Sequence, residues 1–327
     1  MAEKYLNYID GEWCETSGSS TFENRNPANW EEVVGIFPKS TKEDVDRAVA
    51  AARAAFDNWR LMPAPQRGMI LKKVGDIMTG RKEEIAKLMT REMGKVLAET
   101  RGDIQEGIDT AYYAAVEGRR LFGHNAPSEL PNKMNLSFKM PIGVAGIITP
   151  WNFPMAIPTW KIFPALVCGN TVVFKPASDT PATATKLVEI LIEAGVPKGV
   201  VNIVHGGGGT VGMGIVEHPG VNLISFTGSS AVGAVINASA GKELKRISLE
   251  LGGKNAQIVM DDAKLDLALD GVLWGAFGTT GQRCTATSRL ILHKDIHDKF
   301  VDMLVEKTTQ LRLGDGLLPT TDVGPVI

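Results

Sequence analysis

The segment Val144-Ala145-Gly146-Ile147-Ile148-Thr149-Pro150-Trp151-Asn152-Phe153-Pro154 opens the pattern that decides the fold. A short apolar run, VAGIIT (144–149), breaks on a proline-bounded turn, and similar runs follow at TVVFK (171–175), VVNIV (200–204) and LISFT (223–227). Stretches of helical spacing at 155–169, 182–195, 210–219 and 231–241 separate them. Strands alternating with crossovers of this length form a parallel sheet with right-handed connections. The expected fold class is α/β, a Rossmann-like doubly wound parallel sheet. Ligands of such sheets bind beyond the carboxyl ends of the strands. That edge would carry Pro150 to Pro154, Lys175-Pro176-Ala177-Ser178, the glycines 206–209, and the loop Gly228 to Gly233.

Toward the N-terminus, Asp10-Gly11 in NYIDGEW gives a hairpin signal and Asn26-Pro27 another turn. Ser40 and Thr41 with Glu43 and Asp44 form a capping-box pattern ahead of a helix that Pro63 and Pro65 end. Helical spacing resumes from Gln66 to about Leu121, and MNLSFKMPIGV around 134–144 reads as extended. Toward the C-terminus, RISLELGG (246–253) is followed by AQIVM, LDLALDGVLWGAF, SRLILH and HDKFVDMLVEKTTQL, the start of a second α/β unit. The expected division is 1–133, helical and packed on the unit that follows; 134–143, extended; 144–249, Rossmann-like; and 250–327, the opening of a second α/β domain.

The 327 residues carry 35 basic and 37 acidic side chains, a formal charge of −2, and 44% are hydrophobic. That composition supplies cores and excludes disorder and collagen. No basic face of the kind that binds a phosphate backbone is present, so no nucleic-acid partner is expected. No run approaches 18 apolar residues and MAEKYLNYIDGEW lacks a signal-peptide pattern, so no membrane partner is expected and the expected location is the cytoplasm. Cys14, Cys168 and Cys284 have no paired spacing, which argues against a disulfide framework.

Gly207-x-Gly209-x-x-Gly212 fits the dinucleotide fingerprint, although no acidic residue stands about twenty positions later and a purely structural glycine loop is the alternative. The loop after Thr227 offers a second phosphate site at a helix start. His293 and His297 have i, i+4 spacing but lack the glutamate of a zinc helix and begin on a strand, so they read as surface residues and no metal is expected.

Leu249-Glu250-Leu251-Gly252-Gly253-Lys254-Asn255 and Phe277-Gly278-Thr279-Thr280-Gly281-Gln282-Arg283-Cys284 resemble the two signatures of the aldehyde dehydrogenase superfamily. The likeness also takes in PWNFP, FKPAS, FTGSSAVG and Gly324-Pro325. It implies NAD(P)-dependent oxidation of an aldehyde to an acid through a thiohemiacetal and thioester on Cys284. This agrees with the polar turn around Cys284, where a thiolate is accessible. Cys168, in PALVCGN, reads as core, and Cys14 as a bystander. The resemblance makes Asn152 and the backbone N–H of Cys284 the oxyanion donors, and Glu250 the base that activates water for deacylation. A glutamate after an apolar strand is usually solvated or salt-bridged, but Leu249 and Leu251 beside Glu250, and Gly252-Gly253 allowing close approach, favour the functional role. A CoA-acylating branch would not need that base. Coenzyme contacts are expected from Thr149, Pro150, Trp151, Lys175, Ala177, Ser178, Gly206, Gly208, Thr227, Gly228, Ser229, Leu251 and Gly252. NADP is expected in preference to NAD, because a serine stands at 178 where NAD-preferring relatives commonly have glutamate.

The family resemblance also implies that roughly the last third of a typical chain lies beyond Ile327, with part of the substrate tunnel. The expected partners are a small aldehyde and either further copies, as a dimer or tetramer, or a second chain supplying that part. ITPWNFPMAIP and GQRCTATSR look closest to branches acting on semialdehydes of small acids, such as 2-oxoglutaric semialdehyde. The alternative function is a non-catalytic nucleotide-binding or assembly module.

Overall fold

The structure, a computed structural model, describes residues 2–327. The chain begins with five strands, β1 (Glu3–Lys4), β2 (Asn7–Ile9), β3 (Glu12–Cys14), β4 (Thr21–Asn26) and β5 (Asn29–Pro38). Four helices follow, α1 (Lys42–Leu61), α2 (Ala64–Gly80), α3 (Lys82–Met93) and α4 (Leu97–Glu117). The backbone N–H of Thr41 donates to Asp44 at 3.0 Å, closing the expected capping box of α1. The long helical stretch is cut at Arg81 and again at Gly94, whose φ of 89° ends α3 in a left-handed cap.

A hairpin, β6 (Asn125–Pro127) and β7 (Met134–Leu136), precedes the alternating unit. That unit runs β8 (Val144–Ile148), α5 (Ala156–Val167), β9 (Thr171–Lys175), α6 (Pro181–Ala194), β10 (Val201–Ile203), α7 (Met213–Glu217), β11 (Leu223–Gly228), α8 (Ser230–Lys242) and β12 (Arg246–Leu251). A second, smaller α/β unit consists of β13 (Asn255–Val259), α9 (Leu265–Phe277), β14 (Thr287–Leu292) and α10 (His297–Thr309), with β13 and β14 parallel.

The main sheet has seven strands in the order β12-β11-β8-β9-β10-β2-β3. The four expected strands are β8, β9, β10 and β11, and all pair parallel. β12 pairs parallel with β11, placing Glu250 opposite Thr227. The expected division at 249/250 therefore falls inside a strand. The chain direction reverses its march across the sheet between β8 and β11, which is the switch point where such sheets open a crevice.

Two of the N-terminal strands are tied into the main sheet. β2 and β3 extend the main sheet antiparallel, past β10. Paired polar groups hold them: the Asn7 carboxamide accepts the His205 N–H at 2.9 Å and donates to Ser40 Oγ at 2.8 Å. The Asp10 N–H donates to Asn202 Oδ1 at 3.0 Å. The stretch expected to be extended at 134–143 is a strand only at Met134–Leu136, and its partner is Asn125–Pro127, within the preceding region.

Side chains alternate across the central strands. Val172 and Phe174 enter a core with α2, α4, α5 and α6, whereas Val173 enters another with α1, α7 and α8. The sheet is thus covered on both faces, which explains why its strands read as continuous apolar runs. Val259, Leu269, Val272, Ile296 and Phe300 form a separate core in the second unit.

Candidate active site and coenzyme cleft

A cleft of about 680 Å³ opens at the switch point between the carboxyl ends of β8 and β11. Thr149, Pro150, Trp151, Lys175, Ala177, Ser178, Gly208, Thr227 and Gly228, of the residues named from sequence, line it. Gly206, Ser229, Leu251 and Gly252 do not. Gly206 instead adopts φ 144° and accepts a hydrogen bond from Ser178 Oγ at 3.2 Å. Ser229 is the N-cap of α8, accepting the Val232 N–H. Leu251 packs toward the core beside α8.

Sequence reading missed the apolar wall, formed by Phe226, Val232, Val235 and Ile236, and also Asp179. The signal was present in the helical spacing of 232, 235 and 236, which places these side chains on one face of α8.

The residues fit a dinucleotide. At Gly208 and Gly209, which line the cleft, an added Cβ would meet nothing within 4 Å, so the loop leaves open space on that side. The N-terminus of α8 faces the cleft through Ala231 and Val232, a disposition that favours phosphate. Lys175 supplies the one ammonium of the lining. Its Nζ donates to the Pro176 carbonyl at 2.8 Å, and burial pushes its pKa down to about 8, with the Asp179 carboxylate opposing.

At the other end the two signatures meet. Asn255 Nδ2 donates to the Cys284 carbonyl at 2.6 Å and to the Ala286 carbonyl at 3.1 Å. A Cβ on Gly253 would approach the Cys284 carbonyl at 3.9 Å, so this glycine lies against the backbone of Cys284. The Cys284 turn is conformationally demanding: Thr279 and Thr280 have φ of 53° and 55°, followed by Gly281 at 69°. Left-handed backbone costs a non-glycine residue about 1–2 kcal/mol, so surrounding contacts must hold the turn. The residue it presents, Cys284, is exposed.

Asn152 reaches the same turn, its Nδ2 donating to the Gln282 carbonyl at 3.0 Å. The bond fixes the amide orientation, because the flipped amide would set two oxygens face to face. One N–H of the amide is left for a ligand. Asn152 Oδ1 is buried without a partner.

Glu250 is exposed, on the strand β12 that ends the main sheet. Lys161, on α5, was not singled out by sequence and lies close enough to feel the Glu250 charge. Burial brings its pKa down to about 8, Glu250 opposes that shift, and its Nζ donates to Ser225 Oγ at 3.0 Å. A lysine in the apolar helix AIPTWKIFPALV was the available signal.

The other thiols differ in setting. Burial pushes the Cys168 and Cys14 thiols up, the latter against a nearby Arg47. His293 and His297 are not a pair: each faces a neighbouring aspartate, Asp295 at 3.7 Å and Asp298 at 2.8 Å.

Comparison with known proteins extends this geometry. The model of the family described as "Aldehyde dehydrogenase family" matches residues 13–327. The chain is 46% identical over 322 residues to an alpha-ketoglutaric semialdehyde dehydrogenase of Bacillus subtilis, covering 98% of this chain and 66% of that protein. It is 40% identical to an NADP(+) succinate-semialdehyde dehydrogenase of Escherichia coli, with 98% and 66% covered. A solved structure titled as an E. coli NADP-dependent enzyme superposes with a TM-score of 0.97 at 39% identity, covering 99% of this chain and 67% of that one. The chain thus spans a little under two thirds of the length of the curated relatives it matches. The match runs through both signatures and the turns that join them, and the chain belongs to the aldehyde dehydrogenase family.

Proposed function

We propose that the protein oxidises an aldehyde to a carboxylic acid with NAD(P) as hydride acceptor. The observation that carries this reading is the exposed Cys284 on a turn bonded to the Asn152 amide, next to a dinucleotide-sized cleft. The Cys284 thiolate adds to the aldehyde carbon, and the oxyanion accepts N–H donors from Asn152 and the Cys284 backbone. The bound coenzyme supplies the acceptor for the hydride. Glu250 then takes a proton from the water that hydrolyses the thioester, releasing the acid and restoring the thiol. Residues 144–251 would be the coenzyme-binding unit and the segment from Asn255 the start of the catalytic one. The test is aldehyde-dependent NAD(P)H formation; none in protein with an intact Cys284 thiol would overturn the reading.

The names of the relatives favour a semialdehyde of a small acid, 2-oxoglutaric semialdehyde first. A higher kcat/KM for it than for unbranched alkanals is the expected result. Free Cys14, Cys168 and Cys284 favour a reducing, cytoplasmic setting. The exposed Ile258 and Ile291 of the β13–β14 sheet favour assembly, as a dimer or tetramer or with a second chain, which sedimentation would reveal.

Ser178 and Lys175 together favour NADP. Both line the cleft, and a serine hydroxyl, unlike a glutamate, donates to a 2′-phosphate without repelling it. A charge-assisted hydrogen bond of about 1.5–3 kcal/mol corresponds to a preference on the order of tenfold or more. Ser178→Glu is expected to reverse the ratio of Kd values for NADP and NAD. The preference should also fall with pH. Lys175 loses its proton as pH rises through about 8. The protonated form holds the phosphate, so the NADP Kd should rise by up to about tenfold per pH unit above that point. The NAD Kd should change less. An unchanged coenzyme ratio in Ser178→Glu, or a flat NADP profile, would remove these residues as the selectors.

A further inference from the structure

We propose that Glu99, backed by the buried Lys95–Asp103 pair, is a positioning residue that sets the Cys284 turn against the Asn152 turn, so that the two oxyanion donors keep one relative geometry. The inference rests on the reading of Cys284 and Asn152 given above.

Three charged side chains near the start of α4 reach both turns. Asp103 Oδ1 accepts the Ala156 N–H at 2.7 Å, and its Oδ2 accepts from Lys95 Nζ at 2.7 Å. Both side chains are at most 1% exposed. Lys95 Nζ also stands 4.1 Å from the centre of the Phe153 ring. This pair therefore grips residues 153–156, immediately after Asn152. Glu99 lies four residues before Asp103, on the same face of α4. Its Oε1 accepts the Thr279 N–H at 2.7 Å, the first residue of the left-handed run. The Thr279 carbonyl in turn accepts the Gln282 N–H at 2.9 Å, and the Gln282 carbonyl accepts from Asn152. A closed circuit results: α4, the Asn152 turn, Gln282, Thr279, Glu99 and α4 again.

Close packing shows how tightly the circuit is drawn. A Cβ on Gly278 would meet Glu99 Oε1 at 3.3 Å and the Arg283 guanidinium at 3.2 Å. Lys95 and Arg283 both act on the Glu99 carboxylate, offsetting part of the burial that disfavours its charge. A strained turn with one external acceptor for its first N–H relaxes when that acceptor is removed. The Cys284 backbone N–H and the Asn152 amide would then lose their common alignment, although neither donor has itself changed.

Two chemical probes of Cys284 separate positioning from folding. Acylation by p-nitrophenyl acetate needs the oxyanion donors, because the thiolate adds to the ester carbonyl before p-nitrophenolate leaves. Alkylation by iodoacetamide displaces iodide at a saturated carbon and needs only the thiolate. Glu99→Ala is expected to slow acylation about tenfold while alkylation changes little, and Glu99→Gln, which keeps an acceptor oxygen, to recover most of the rate. In an Asn152→Ala background Glu99→Ala should add almost nothing, since the residue acts through that alignment. Equal loss of both probes, full additivity with Asn152→Ala, or unchanged acylation would overturn the proposal. Should the expected pattern appear in a protein that forms no NAD(P)H from any aldehyde, the positioning role stands and the dehydrogenase reading falls.

Discussion

Cys284→Ala is expected to lower aldehyde oxidation by about 10⁴-fold or more while leaving NADP and NAD affinity within experimental error. Alanine removes the only atom able to form the thiohemiacetal, so hydride transfer would have to proceed from a free aldehyde or its hydrate. No neighbouring thiol compensates. Cys168 is packed against the core and Cys14 is in an N-terminal strand, and burial favours the protonated form of each. Coenzyme affinity is spared because the cleft is built from the ends of β8, β9 and β11 and from α8, none of which includes residue 284. Isothermal titration with each coenzyme and a steady-state assay separate the two quantities. Residual oxidation at a tenth of the normal rate, or inhibitor labelling of Cys168 in its place, would remove Cys284 as the nucleophile.

Asn152→Ala is the second large effect, a loss of about 10²–10³ in kcat with little change in coenzyme affinity, the range typical of one oxyanion donor. The Gln282 carbonyl uses one amide N–H, and the other is left to donate to the substrate oxygen. Removing it leaves the Cys284 backbone N–H as sole donor, so both addition and thioester hydrolysis should slow. Pre-steady-state kinetics would show the NAD(P)H burst slowed with turnover. For Glu250→Gln the contrast is sharp: the burst should persist and only turnover fall, because the base acts after the hydride has left. A normal burst in Asn152→Ala would show that the amide serves the turn and not the oxyanion.

Much of this was legible in the chain itself. The four apolar runs from Val144 to Thr227, each covered on both faces, named the parallel strands, and the turns following them named most of the cleft. The capping box at Thr41 and the Asp10-Gly11 hairpin were equally plain, since each depends on a few adjacent residues. The motif residues Asn152, Glu250 and Cys284 stood out because their chemistry is local.

What linear reading missed was long-range pairing. β2 joins the sheet next to β10 because the Asn7 carboxamide meets His205, 198 residues away, a bond without trace in periodicity. Strand alternation sets Glu250 on the opposite face of β12 from Leu249 and Leu251, and it is exposed there, a placement that pairing with β11 decides. Glu99 and Lys161 looked like ordinary helical charges, and only packing brought one to the Thr279 N–H and the other near Glu250. Periodicity and motif spacing report what each residue asks of its immediate surroundings. Which distant backbone groups answer a buried carboxylate or carboxamide is decided when helices and sheet close on one another, because an unpaired polar group in that interior costs about 1–3 kcal/mol and must find its partner there.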